Sequence, residues 1–134
     1  MSRRAIREQI FKLLFRVEFN EWEEMENQTR LFYADEDNIT EEEQQAEVTE
    51  KLNQILDKLS TLDEMINEQT VGWTTDRIAK VELTILRLAL YEIKYDDNVP
   101  NSVAINEAVE LAKKYGQSDA SGFVNGVLAK FVAE

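Results

Sequence analysis

The chain has 134 residues, 43% of them apolar and 31% charged, with a formal net charge of −12, which is room for one domain burying about two thirds of its unfolded surface. No apolar run nears the ~18 residues of a membrane span, and the basic start Met1-Ser2-Arg3-Arg4 lacks the apolar stretch that would make it a secretory signal. Four glycines and one proline favour helices over a many-turned sheet.

We expect an all-α chain of about seven helices, packed as two small helical bundles within a single domain over 1–134. The subdomains are expected at about 1–70 and 71–134. Ser2 can cap the first helix, which runs from about Arg3 into the low twenties. Ile6, Ile10, Leu13, Leu14 and Val17 recur at helical spacing along it. Residues 1–16 hold five basic groups against Glu8 alone. Arg3, Arg4 and Arg7 sit on its first two turns, against the helix macrodipole, so a ligand is a better reason for them than local stability. An ordinary solvated face is the other reading.

A second, shorter helix covers about Glu23 to Tyr33, with Met25, Leu31, Phe32 and Tyr33 as buried candidates, and Asp35-Glu36-Asp37-Asn38 is a polar loop. Thr40 and Glu43 form a capping box ahead of a third helix carrying Val48, Leu52, Ile55, Leu56 and Leu59. Its Glu41-Glu42-Glu43 run suits a helix start rather than a metal. Thr61 and Glu64 repeat the capping-box pattern before a short fourth helix with Leu62, Met65 and Ile66. Residues 17–70 carry 17 acidic groups against three basic. Val71-Gly72 breaks the pattern and is the place for a hinge.

The fifth helix, about Asp76 to Tyr95, is apolar on several faces (Ile78, Val81, Ile85, Leu86, Leu88, Ala89, Ile93), as a buried central helix would be. Pro100 stops simple continuation. The sixth helix runs from about Ser102 to Tyr115 with Gly116 as a C′ glycine. The seventh runs from about Ser118 to Val132. Gly126 inside it costs ~1 kcal/mol relative to alanine, so close helix packing is expected there.

The chain has no cysteine and no histidine. The first fact excludes disulfides and suits the cytoplasm. The second removes the commonest general base and the commonest transition-metal ligand together. Neither a glycine-rich phosphate loop nor a nucleophile elbow is present. We expect no enzyme, no catalytic residue, no metal site and no cofactor. A chain this acidic binds nucleic acid only through a local patch, and the start of the first helix is the strongest one.

Three segments carry a resemblance: Val81-Glu82-Leu83-Thr84-Ile85-Leu86-Arg87-Leu88-Ala89, then Val103-Ala104-Ile105-Asn106-Glu107-Ala108-Val109-Glu110-Leu111-Ala112-Lys113, then Phe123-Val124-Asn125-Gly126-Val127-Leu128. In order and spacing they resemble the NusB family, bacterial transcription antitermination factors that bind RNA. The resemblance is strong from about Trp73 to Leu128, moderate over Ser2 to Val17, and weak over residues 18–70. It implies a non-enzymatic, cytoplasmic factor that binds boxA-like single-stranded RNA together with the ribosomal protein NusE. It also implies a place in the RNA polymerase antitermination complex on ribosomal RNA, and no membrane. Family members include monomers and homodimers.

By the same resemblance, Arg3, Arg4 and Arg7 contact phosphates, as guanidinium groups do well. Phe15 stacks a base or packs into the core, both readings staying open, while Phe11 is core. Within Gln117-Ser118-Asp119-Ala120-Ser121-Gly122-Phe123, Asp119 and Phe123 match RNA-contacting positions, with Lys113 and Lys114 nearby. Glu82 matches a position on the NusE-binding surface, and Asp76, one turn earlier, would share its face. Asn106, Glu107 and Asn125 belong to the family pattern and are expected to bridge packed helices. Two alternatives stay open. One is a protein-interaction module with little RNA binding of its own. The other is an accessory RNA-binding unit working with a ribosomal RNA methyltransferase, whose cofactor domain this sequence lacks.

Overall fold

The computed structural model describes residues 2–20, 22–35, 41–70 and 74–132. Among them are seven α-helices, two short 3-10 turns and no strand, as the sequence predicts. The helices are α1 (Arg3–Phe15), α2 (Met25–Ala34), α3 (Glu42–Asp57), α4 (Leu59–Gln69), α5 (Lys80–Tyr95), α6 (Asn101–Tyr115) and α7 (Ala120–Val132). They fall into two compact units, Met1–Leu56 and Asp57–Glu134. No helix among the described residues is long and apolar enough to cross a membrane.

In the first unit, the Ser2 hydroxyl accepts the Ala5 amide at 3.1 Å, the expected cap of α1. Ile6, Ile10, Phe11, Leu13 and Leu14 form its buried stripe. The α-helix stops at Phe15, earlier than expected, and continues as a 3-10 turn over Arg16–Glu18. There the Asn20 side chain donates to the Arg16 carbonyl at 2.9 Å, diverting an acceptor a longer helix would use. The Arg16 guanidinium donates to the Gln28 carbonyl and to Gln28 Oε1, both at 3.1 Å, and lies 5.2 Å from the Phe32 ring centre, tying α1 to α2.

The Tyr33 hydroxyl donates to the Gln45 carbonyl at 3.0 Å and pairs with the Thr49 hydroxyl at 2.9 Å, which ties α2 to α3. Burial pushes the Tyr33 hydroxyl above the usual tyrosine range, against the opposing pull of Thr49. Leu31, expected inside, is 50% exposed. Met25 and Phe32, seven residues apart, already occupy the one face that α2 buries.

The second unit is built on α5, in which every residue from Glu82 to Glu92 is buried. It packs against α4, α6 and α7. Thr84, fully buried, satisfies its hydroxyl on the Lys80 carbonyl at 2.7 Å. Arg87 is bound side-on by Asp63 of α4, with Nε to Oδ1 and a terminal nitrogen to Oδ2 both at 2.8 Å. Through this pair α4 belongs with the second unit. The expected capping box at Thr61 and Glu64 instead lies inside α4. The helix already starts at Leu59, where the Leu62 amide donates to the Lys58 carbonyl at 2.8 Å. Thr40 and Val71-Gly72 lie outside the described residues.

α5 begins at Lys80 rather than Asp76, and α7 at Ala120 rather than Ser118. Gly116 caps α6 in extended backbone rather than as a left-handed C′ residue. Its glycine has a steric reason: an added Cβ would lie 2.5 Å from the Ala120 Cβ and 2.8 Å from the Ala112 carbonyl. Gly126 is the reverse of what was expected. α7 buries Ala120, Val124, Val127 and Leu128, which leaves Gly126 facing outward with nothing within 4 Å of an added Cβ. Asn125 on α7 and Asn106 on α6 are exposed too. Neither side chain bridges helices among the described residues.

Replacing Asp63 with alanine leaves Arg87 buried without its carboxylate and should cost roughly 3–5 kcal/mol, read as a lower midpoint in urea unfolding. The two glycines should respond in opposite directions. Gly116→Ala should destabilise by about 1–3 kcal/mol through overpacking, whereas Gly126→Ala should stabilise by up to ~1 kcal/mol, both read from thermal midpoints.

Candidate nucleic-acid interface

The start of α1 is the basic end of an otherwise acidic unit. Its first turn contains no acidic residue, so the arginines there run against the helix dipole. Arg3 and Arg4 are exposed and Arg7, one turn on, is half-buried. Arg3 pairs with Glu47 of α3 at the surface. The Arg3 side chain remains 80% exposed, and such exposed pairs hold weakly, so a phosphate can compete for it.

Farther along, three aromatic rings follow one another at four-residue spacing. Phe11 is buried, as expected. Phe15, half-buried, lies 6.3 Å from Phe11 in a stacked pair. Phe19 meets Phe15 edge-on at 5.1 Å and is 62% exposed. Sequence reading did not single out Phe19. The spacing signal was present, but the switch to a 3-10 turn after Phe15 is what carries Phe19 out of the buried stripe.

Of the other predicted residues, Glu82, Asp119 and Phe123 lie in the second unit around a cavity of about 280 Å³, lined by them with Arg77, Ile78, Ala79, Gln117 and Ala120. Asp119 is exposed in the turn that leads into α7, where its carbonyl accepts the Phe123 amide at 3.2 Å and so positions the Phe123 ring. Glu82, in the first turn of α5, is only 7% exposed. Its Oε1 lies 3.2 Å from where a Gly116 Cβ would stand. The missing side chain at Gly116 therefore leaves room for this carboxylate as well as for Ala120. Arg77, not singled out from the sequence, completes the lining, because next to Asp76 its charge reads as locally neutralised.

Asp76 is not part of this lining. It lies exposed in the turn before α5, not on a helical face shared with Glu82. The Thr74 hydroxyl donates to its carboxylate and, with its own backbone amide, holds Asp76 below the usual carboxylate range. Lys113 is partnered with Glu110 at 3.6 Å, and the Lys114 ammonium lies 5.4 Å from the Tyr115 ring centre.

The structure thus gathers Glu82, Asp119 and Phe123 about one cavity and keeps Arg3, Arg4, Arg7 and Phe15 on one helix. The NusB family model matches residues 4–133. The chain belongs to the NusB family. The transcription antitermination protein NusB of Agathobacter rectalis is 52% identical over 98% of this chain and 99% of its own. A solved NusB from T. maritima is 32% identical, with a TM-score of 0.88, over 100% of this chain and 92% of that one. A crystal structure of the antitermination factors NusB and NusE in complex with dsRNA shares the fold, at 24% identity and a TM-score of 0.76, over 96% of this chain and 93% of that one. NusB proteins are non-enzymatic transcription antitermination factors, in line with a chain lacking histidine and cysteine.

Phe11 and Phe19 should separate core from surface in this family member. Phe11→Ala should cost about 3–5 kcal/mol of stability. Phe19→Ala should stay within about 0.5 kcal/mol of the parent, both measured by urea unfolding.

Proposed function

We propose that this protein is an RNA-binding transcription antitermination factor that holds boxA-like single-stranded RNA together with the ribosomal protein NusE, within the RNA polymerase antitermination complex. The observation that carries the reading is the exposed arginine pair Arg3 and Arg4 at a helix start, where they run against the dipole. With Arg7 they meet phosphates. Phe15 offers part of an aromatic face, and Asp119 and Phe123 meet bases from the second unit. A structural neighbour solved with NusE and dsRNA supports the broader pairing, NusE and RNA as partner classes. The ribosomal protein, basic as ribosomal proteins generally are, docks at the turn before α5, where the Asp76 carboxylate is exposed. Glu82 reaches a partner only by way of the cavity.

The contact between Arg3 and Glu47 favours a second reading, a protein-interaction module that holds its own arginines in ion pairs. One experiment separates the two: fluorescence anisotropy of a labelled boxA-like RNA, with and without purified NusE, at two salt concentrations. We expect saturable binding that tightens with NusE. With three or four phosphate contacts, the logarithmic salt slope should be about −2 to −3 for a single strand. Alanine at Arg3, Arg4 and Arg7 together should weaken binding roughly tenfold or more and flatten that slope. Glu47→Ala, which releases Arg3, should strengthen binding by about twofold. Unchanged assembly with RNA in the triple variant would sink the RNA-binding reading in favour of the second.

A further inference from the structure

The first unit has a cavity of its own, lined by none of the residues assigned to RNA. α2 and α3 are joined by the Tyr33 hydroxyl, which meets the Gln45 carbonyl and the Thr49 hydroxyl. Beside that tie lies a space of about 580 Å³, within the roughly 300–1,000 Å³ of ligand sites. Met25, Leu52 and Leu56, all buried, make its apolar floor. The hydroxyls along it are already engaged: Thr29 donates to the Met25 carbonyl at 2.9 Å, and Thr49 is held by Tyr33. What these side chains leave for a ligand is the two threonine methyl groups and the Tyr33 ring.

The rim is acidic. Glu23, Glu26 and Asn53 are exposed there, and the Arg30 guanidinium donates to Asn27 of its own helix. The field beyond the rim has the same sign. Glu42, Glu43 and Glu50 are exposed on α3, which has Lys51 as its single cation, and Glu24 adjoins Glu23. A negative potential of this extent repels phosphate, so neither RNA nor an anionic lipid surface fits the groove, and it draws in cations. An apolar floor under a carboxylate rim is matched by a bulky apolar group with positive charge on either side of it. The Asn53 amide offers a donor and an acceptor together, the pair that a peptide unit complements.

We propose that this groove is a docking site for a short basic segment of a protein partner. One bulky apolar side chain of the segment, leucine, methionine or phenylalanine, sits over Met25, Leu52 and Leu56. Lysines or arginines before and after it meet Glu23 and Glu26, and Asn53 bonds the segment's backbone. The site is independent of RNA binding, and the first unit alone supplies it. It gives the chain a protein contact beyond the one at the turn before α5.

The test uses labelled nonapeptides with leucine or serine at the centre and lysine or glutamate on both flanks, titrated into the full chain by anisotropy. The leucine peptide with lysine flanks should bind saturably. Serine at the centre should weaken it about tenfold or more, the loss expected when one leucine is no longer buried. Glutamate flanks should abolish binding. Glu23→Lys combined with Glu26→Lys should lower affinity for the lysine-flanked peptide about tenfold and raise it for the glutamate-flanked one. Asn53→Trp, which fills the cavity, should remove the difference between leucine and serine. Circular dichroism checks that both variants keep the parent's helical content. In the parent, amide NMR signals should shift at Thr29, Asn53 and Leu56 and stay in place at Arg4 and Asp76.

Equal binding of the leucine and serine peptides would overturn the site, since charge alone would then hold them. Unchanged affinity in the double lysine variant would do the same, and so would signals shifting only around Asp76, which would place the peptide on the other protein contact. Absence of binding up to about a millimolar, from helical protein, would also overturn it. Self-association of the chain that Asn53→Trp abolishes would make the occupant a second copy and overturn the assignment to a partner protein.

Discussion

A helix with no solvent face must find every partner for its polar groups inside the protein, and that requirement organises the second unit. From Glu82 to Glu92 α5 is buried throughout, so Thr84 turns its hydroxyl back onto its own helix. Arg87 cannot do the same. A guanidinium carries five donors in a fixed fork, and the carboxylate that meets it in parallel comes from Asp63 on α4. Desolvating the pair costs more than an exposed bridge would, so its main consequence is specificity: α4 must pack where Asp63 reaches Arg87. The same crowding sets the residues facing α5. α6 buries Ala104, Ala108 and Ala112, α7 buries Ala120, and Gly116 stands where no Cβ fits.

The first unit relies on polar ties between short helices. Arg16 joins α1 to α2 through two hydrogen bonds and an aromatic face. The Tyr33 hydroxyl joins α2 to α3. Both lie at the margin of the apolar stripe, where a long side chain can bury its stem and keep its polar end bonded. With the core contacts met by Ile6, Ile10, Leu13 and Leu14, the arginines at the head of α1 contribute little to packing. Their cost against the helix dipole is then tolerable only at an exposed end, where solvent screens it.

Much of the architecture was legible in the sequence because it rests on periodicity. Ser2 before Arg3, the stripe from Ile6 to Leu14, and the near-continuous apolar run of α5 are local patterns with one structural solution. The errors share a cause as well. Residue type alone places Leu31 and Gly126 inward, yet each stands on a helix whose buried face other residues already fill. The capping signal at Thr61 was sound chemistry one turn too late, because α4 had already closed its first turn at Lys58.

The site divides along the same line. That α1 begins with arginines, that Asp119 and Phe123 share the start of α7, and that no histidine or cysteine offers catalytic chemistry are all properties of the sequence alone. The seven helices among the described residues, most of their buried faces and membership of the NusB family were likewise determined by it, since periodicity and motif spacing are local and survive without neighbours. Only the tertiary structure decided that Glu82 is buried rather than solvated, and that Arg77 lies beside the same cavity as Asp119. It alone carried Phe19 to the surface and gave Asp63 to Arg87. Those facts depend on which side chains, distant along the chain, exclude water from one another, and no local pattern records that.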